Sequence, residues 1–243
     1  MAKTPDQSQT RRKKIDAMRE QEERARKRNK NLAVSLTVIG VFVVVLAAVF
    51  VVNRLSGPEP AAVAAGESQY VRADSHKLSV AADGKVTLVE FLDFECEACR
   101  AAFPVVEDLR KQYEGKVTFV ARYFPLPGHF NAERAARAVE AAAAQGKFEA
   151  MYQRMYETQT QWGEKQVPAD DVFRVFAKDL GLDMTAWEKV YNAPATLERI
   201  KKDVADGQAL GVTGTPTFFL NGERLQPQSE GDFKAAIDAA LAR

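Results

Sequence analysis

The chain has 243 residues, 46% of them hydrophobic and 9% aromatic, with 34 Lys+Arg against 33 Asp+Glu. That apolar content supports one sizeable core and excludes a wholly disordered chain, and two cysteines exclude a disulfide-stapled miniprotein. Two Cys and two His cannot complete a structural zinc site without carboxylates, and a net charge of +1 gives no global argument for nucleic acid.

The charge is unevenly spread. Residues 1–31 carry eleven Lys/Arg and five acids, a net of +6, which leaves −5 for the rest. This run lacks interleaved aromatics, so it reads as a solvated cytoplasmic segment that favours an anionic inner leaflet, with no nucleic acid as partner. Residues 32–52 contain no charge, and at ~1.5 Å per residue they span roughly 30 Å, the thickness of a hydrocarbon core. Backbone groups there have no outside partner, so the stretch is predicted to be a transmembrane helix. Eleven cations precede it and only Arg54 closely follows. That asymmetry predicts a single-pass protein of the cell membrane, with a cytoplasmic N-terminus and an extracytoplasmic remainder. A cleavable signal peptide, with Ala62-Val63-Ala64 as a loose cleavage site, is the rival. Both the apolar run and the basic region before it are too long for one.

Residues 53–75, rich in Ala, Gly, Pro and Ser, read as a linker, and 76–243 as one folded domain. Residues 86–94 form a near-continuous β-prone run that suits a strand buried on both faces. Residues 96–113 carry apolar side chains at helical spacing, and 116–124 are again strand-like. That order predicts a parallel βαβ unit with a right-handed crossover. After Pro125-Leu126-Pro127-Gly128 the period turns helical. Helices are predicted over 131–145, 148–160, 170–180, 184–191 and 194–210, the third closing at Gly181. Strand character returns at 217–220 and 224–226 around an Asn221-Gly222 hairpin turn, and 232–241 is a final amphipathic helix. The fold class is α/β, a sheet interrupted by a block of helices.

The chemistry lies at Cys96-Glu97-Ala98-Cys99, between a buried strand and a helix. A structural disulfide would close a four-residue loop, worth only about 2 kcal/mol by chain entropy. Metal binding needs a second ligand pair, whereas a redox dithiol needs only what is present. At a helix start the Cys96 sulfur faces unpaired N–H groups and the positive end of the macrodipole, which favour thiolate. Cys99, one turn on, is placed to resolve a mixed disulfide. Glu97 should oppose the thiolate unless its side chain turns to solvent.

With these residues in view, the sequence resembles the thioredoxin superfamily, and within it the DsbA-like thiol-disulfide oxidoreductases of the bacterial cell envelope. The likeness rests on the segment 91–99, on Pro104 eight residues after Cys96, and on Gly214-Thr215-Pro216-Thr217-Phe218-Phe219. A further feature is the helical block that opens with His129-Phe130-Asn131-Ala132. The resemblance covers about residues 76–243 and not the anchor, and implies a thioredoxin fold with an inserted helical domain at about 128–210, placed after the transmembrane helix read from the apolar run. It implies that Cys96 forms the mixed disulfide and Cys99 resolves it. Thr215 and a cis Pro216 would hold a substrate backbone; an ordinary trans turn proline is the alternative. Glu90, six residues before Cys96 in an apolar strand, would be a buried acid that exchanges a proton with Cys99. The substrates implied are reduced secreted or membrane proteins, the reoxidant a quinone-linked membrane oxidase, with no dissociable cofactor and no metal.

Two other functions stay open: a reductase or isomerase kept reduced by another partner, and a noncatalytic binding module. A tethered monomer is the default. His129 is read as a capping or surface residue ahead of a helix whose predicted N-cap is Asn131. Trp162, Trp187 and the Met151–Tyr156 stripe are read as helical-domain core rather than a cofactor box, with a substrate groove around the dithiol as the alternative for some of them.

Overall fold

A computed structural model describes residues 68–243. The basic segment 1–31, the predicted membrane helix 32–52 and most of the linker lie outside the described residues. Among the described residues no helix is long and apolar enough to cross a membrane.

The two apolar runs form β2 (Thr87–Leu92) and β3 (Thr118–Tyr123), parallel neighbours joined by α1 (Glu97–Gln112). Every residue of β3 is buried, and every residue of β2 after the first, as expected for central strands covered on both faces. β4 (Thr217–Leu220) pairs antiparallel with the free side of β2, and β5 (Glu223–Leu225) returns along β4. The hairpin turns at Asn221 and Gly222 with φ of 51° and 83°, the left-handed conformation that a two-residue hairpin requires.

An additional strand, β1 (His76–Ser79), pairs antiparallel with β3 and completes the order β1-β3-β2-β4-β5. It carries no sequence signal. In His-Lys-Leu-Ser only Leu78 is buried, and its place comes from backbone pairing to β3.

The helical block contains α2 (Ala132–Ala143), α3 (Phe148–Trp162), α4 (Asp170–Asp179), α5 (Met184–Tyr191) and α6 (Pro194–Ala209); α7 (Glu230–Leu241) closes the chain. Trp162 meets Phe173 edge-on at 4.9 Å between ring centres, Trp187 stacks on Tyr191 at 4.7 Å, and Met151 and Met155 are fully buried. The aromatic and Met stripe is therefore core.

Packed structure also begins upstream of the expected domain start at 76. The buried Arg72 guanidinium grips Asp206 of α6 at 2.5 and 2.7 Å, and Tyr70 lies edge-on to Phe219 of β4. The composition of 53–75 suggests a tether because the partners of its last residues lie more than a hundred residues away in sequence.

Candidate active site

β2 delivers the chain to a turn over Asp93, Phe94 and Glu95, and α1 starts directly after Cys96. Cys96 is the N-cap residue, extended at φ −69° and ψ 122°, and its N–H donates to the Asp93 carbonyl at 3.2 Å. The sulfur therefore sits over the first, unpaired N–H groups of a four-turn helix. Both cysteines are free thiols.

Their environments differ sharply. The Cys96 thiol is lowered to about 5, foremost by its hydrogen bond with the Cys99 thiol. Burial works against ionisation, while Thr215 and the N–H groups of Cys99 and Ala98 favour it. The Cys99 thiol, wholly buried, is pushed well above the ordinary cysteine range, chiefly by burial and then by its bond to Cys96. Glu97 points to solvent, so the neighbouring acid does not cancel the helix field.

Thr215–Pro216 is a cis peptide bond. The Thr215 carbonyl lies 3.3 Å from Cys96 Sγ, which as a thiol donates to it. As a thiolate Cys96 has no proton to donate. The Thr215 hydroxyl, buried without another partner among the described residues, is then the group able to turn toward the sulfur. Pro216 also lines a 190 Å³ hollow with Thr217, Phe218, Leu225 and Gln226.

Glu90 is buried in β2, opposite Ala121 of β3 and Phe218 of β4. Its carboxyl is raised to about 8, first by burial and then by the negative charges of Glu107 and Cys96. At neutral pH it is a protonated acid that senses the dithiol. The structure thus gathers Cys96, Cys99, Glu90, Thr215 and Pro216 into one neighbourhood.

Other members of the site escape a sequence reading. The Asp93 side chain is completely buried; Oδ1 accepts from the Glu95 N–H at 2.8 Å and Oδ2 from the Leu126 N–H at 2.9 Å. The Asp93 N–H faces Cys99 Sγ at 3.5 Å. His129 is neither a cap nor a plain surface residue: its Nδ1 lies 2.7 Å from Asp93 Oδ2, and that hydrogen bond above all raises the imidazole to about 9. Asn131 stands at the N-cap position of α2 but makes no side-chain cap. Its amide donates to the Lys165 and Val167 carbonyls and accepts from the Ala169 N–H. Glu95 accepts from the N–H groups of Asn131 and Glu164. Gln159 of α3 donates to the Phe94 and Cys96 carbonyls at 2.7 and 2.9 Å. These bonds stitch the dithiol turn to the helical block across 30 to 70 residues of sequence, too far for any local pattern to announce them. Among the described residues no group of three or more His, Cys, Asp or Glu is placed to hold a metal ion.

The arrangement of β2, dithiol turn, α1 and cis-proline loop has a counterpart in known proteins. A family model described as Thioredoxin matches residues 81–239. The chain belongs to the thioredoxin family. A structure of a thioredoxin-like oxidoreductase from Silicibacter pomeroyi DSS-3 superposes with a TM-score of 0.57 at 28% identity, covering 70% of this chain and 93% of that one. Wolbachia pipientis alpha-DsbA1 shares the fold, with a TM-score of 0.63 at 18% identity over 71% of this chain and 93% of its own. Among curated proteins, the Na(+)/H(+) antiporter NhaA of Herminiimonas arsenicoxydans is 36% identical over 161 residues, 66% of this chain and 25% of the antiporter. The chain spans about a quarter of the length of the curated relatives it matches. The fold is thus a mixed α/β thioredoxin fold with an inserted helical domain.

Proposed function

We propose that the chain is a protein thiol-disulfide oxidoreductase that introduces disulfides into reduced secreted or membrane proteins. The observation that carries this reading is the polarised pair: a Cys96 sulfur lowered to about 5 against a Cys99 sulfur pushed the other way. In the oxidised protein a client thiolate attacks Cys96 Sγ, the Cys96–Cys99 bond breaks, and Cys99 leaves with the electron pair. Glu90, protonated at neutral pH, supplies the proton that Cys99 takes up. A second client thiolate then attacks the client sulfur of the mixed disulfide. A client disulfide forms and Cys96 departs as a stable thiolate. The client loses two electrons and the dithiol gains them; in the reverse direction Cys99 resolves the mixed disulfide. Thr215 and Pro216 hold the client backbone extended beside Cys96.

Stabilising the reduced form in this way makes the couple oxidising, which favours the oxidase direction over a reductase or isomerase. Continuous turnover needs an external oxidant, for which a quinone-linked membrane oxidase is suited. The cationic segment and the apolar stretch 32–52 support an uncleaved anchor that holds a monomeric domain outside the cytoplasm.

Four measurements test the reading. The oxidised protein should accelerate refolding of a reduced disulfide-containing client. Cys96→Ser should abolish this, and Cys99→Ser, offered a client that carries a disulfide, should accumulate a mixed disulfide as Cys96 attacks it and a client thiolate leaves. The reduction potential should lie nearer about −120 mV than about −270 mV. Insulin reduction without client oxidation would replace the oxidase with a reductase, and inactivity in both assays would leave a binding module. Protease added to cells stripped to the cytoplasmic membrane should release the folded domain, Tyr70 and Arg72 included, as an extracytoplasmic domain requires.

A further inference from the structure

Between positions 90 and 97 the chain carries four acids, Glu90, Asp93, Glu95 and Glu97, and in their midst it must hold a negative sulfur. Two are disarmed where they stand: Glu90 is protonated at neutral pH and Glu97 faces solvent. Glu95 and Asp93 are both buried and each accepts two backbone N–H groups, bonds that do not remove charge. The His129 charge also acts on Glu95, but Asp93 is the acid it touches. The Asp93 carboxylate is completely buried under the dithiol turn, and its backbone touches both cysteines, taking the Cys96 N–H and facing Cys99 Sγ. Left alone, that charge would oppose a thiolate at Cys96.

His129 supplies the counter-charge. Its ring is 22% exposed, docked on Asp93 at 2.7 Å, with Nε2 at 4.0 Å from Glu164 beyond the end of α3. On the side of α2, Glu133 and Arg134 line the same cleft, and Arg134 is committed to Asp170 and the Phe130 carbonyl. We propose that His129 is a positioning residue for disulfide exchange: its imidazolium neutralises buried Asp93 and biases Cys96 toward the thiolate. The coupling is visible from the imidazole side, where the negative charge of Cys96 helps to raise His129. It is weaker than the hydrogen bonds from Cys99 and Thr215 that dominate at Cys96. The inference rests on the exchange chemistry proposed above.

His129→Gln keeps a donor for Asp93 and removes the charge. The midpoint of Cys96 alkylation against pH should rise by about half to one pH unit, so that its acid dissociation constant falls about three- to tenfold. The oxidation rate of a reduced client should fall with it. An unmoved midpoint overturns the proposal and leaves the exchange chemistry standing. A wild-type Cys96 that is protonated and inert at pH 7 overturns both. A second measurement needs only the unaltered protein. Coupling is reciprocal, so the His129 ring resonance should titrate at higher pH in the dithiol form than in the disulfide form, by the same three- to tenfold factor. His76, the other histidine, serves as the internal reference. Equal titration of His129 in the two forms overturns the proposal even if the variant does not fold.

Discussion

Glu90 sits in a central strand whose neighbours are apolar, and its carboxyl is raised from 4.5 to about 8 by that burial. The neutral form is therefore the one the fold favours. Its contribution to stability is fully present below pH 4.5 and is lost as pH rises through 8. Glu90→Gln should match the wild type in thermal unfolding at pH 4 and exceed it progressively toward pH 9, by up to about 3 kcal/mol at pH 7. The same substitution should slow exchange across pH 5–8 at the step in which a client thiolate displaces Cys99, and at its reverse, because Cys99 loses its proton partner. A variant that exchanges at the wild-type rate removes Glu90 from the mechanism, and one with an unchanged stability profile removes the burial argument. His129 has the same sign from the opposite charge type. Raised from 6.5 to about 9, it stabilises the fold below pH 6.5, and that stabilisation disappears through pH 9. The pH dependence of unfolding over that interval should be shallower in His129→Gln.

At the scale of elements, the decisive contact is α6 against the sheet. Gly207 lies on that helix where a β-carbon would come within 2.7 Å of the Phe124 ring and 3.1 Å of Phe91. Phe91 and Phe124 themselves meet edge-on at 6.3 Å between ring centres, and both are buried. Gly207→Ala should push α6 outward and destabilise by about 1–3 kcal/mol, despite alanine's better helix propensity. A stable Gly207→Ala protein, measured by urea midpoint, would mean that the helix can ride higher on β2 and β3. The dithiol depends on the same strand: parallel pairing with β3 and antiparallel pairing with β4 carry β2 to its end at Leu92, just before the turn to Cys96.

Across the whole molecule, the sheet, α6 and the segment upstream of β1 meet in a buried ionic network. Arg122 of β3, wholly buried, bonds Asp203 at 2.7 Å and Asp206 at 2.6 Å, and its Nη1 donates to the Gln69 and Tyr70 carbonyls. Arg72 shares Asp206, and Arg199 shares Asp203. Removing one partner leaves desolvated charge behind, so Arg122→Met should cost about 3–5 kcal/mol, read as a fall in the urea midpoint. A neutral result would show that water reaches Asp203 and Asp206 and solvates them. Sequence reading missed this network because its members are scattered from 72 to 206, and each alone looks like a surface charge.

The sequence determined the elements whose information is local: the two apolar strands, the helical block with its periodic apolar faces, the Asn-Gly hairpin and the spacing of the two cysteines. It also identified Glu90, because an acid in an apolar strand is anomalous wherever the strand lies. What only the tertiary structure decided is which distant groups face the sulfur. Asp93 and His129 are 36 residues apart, and an asparagine two positions beyond His129 offered a nearer and misleading explanation for it. The helical stretches declare themselves by backbone periodicity, but a thiolate answers to every charge within reach, and that reach is set by the folding of β2 beside β3.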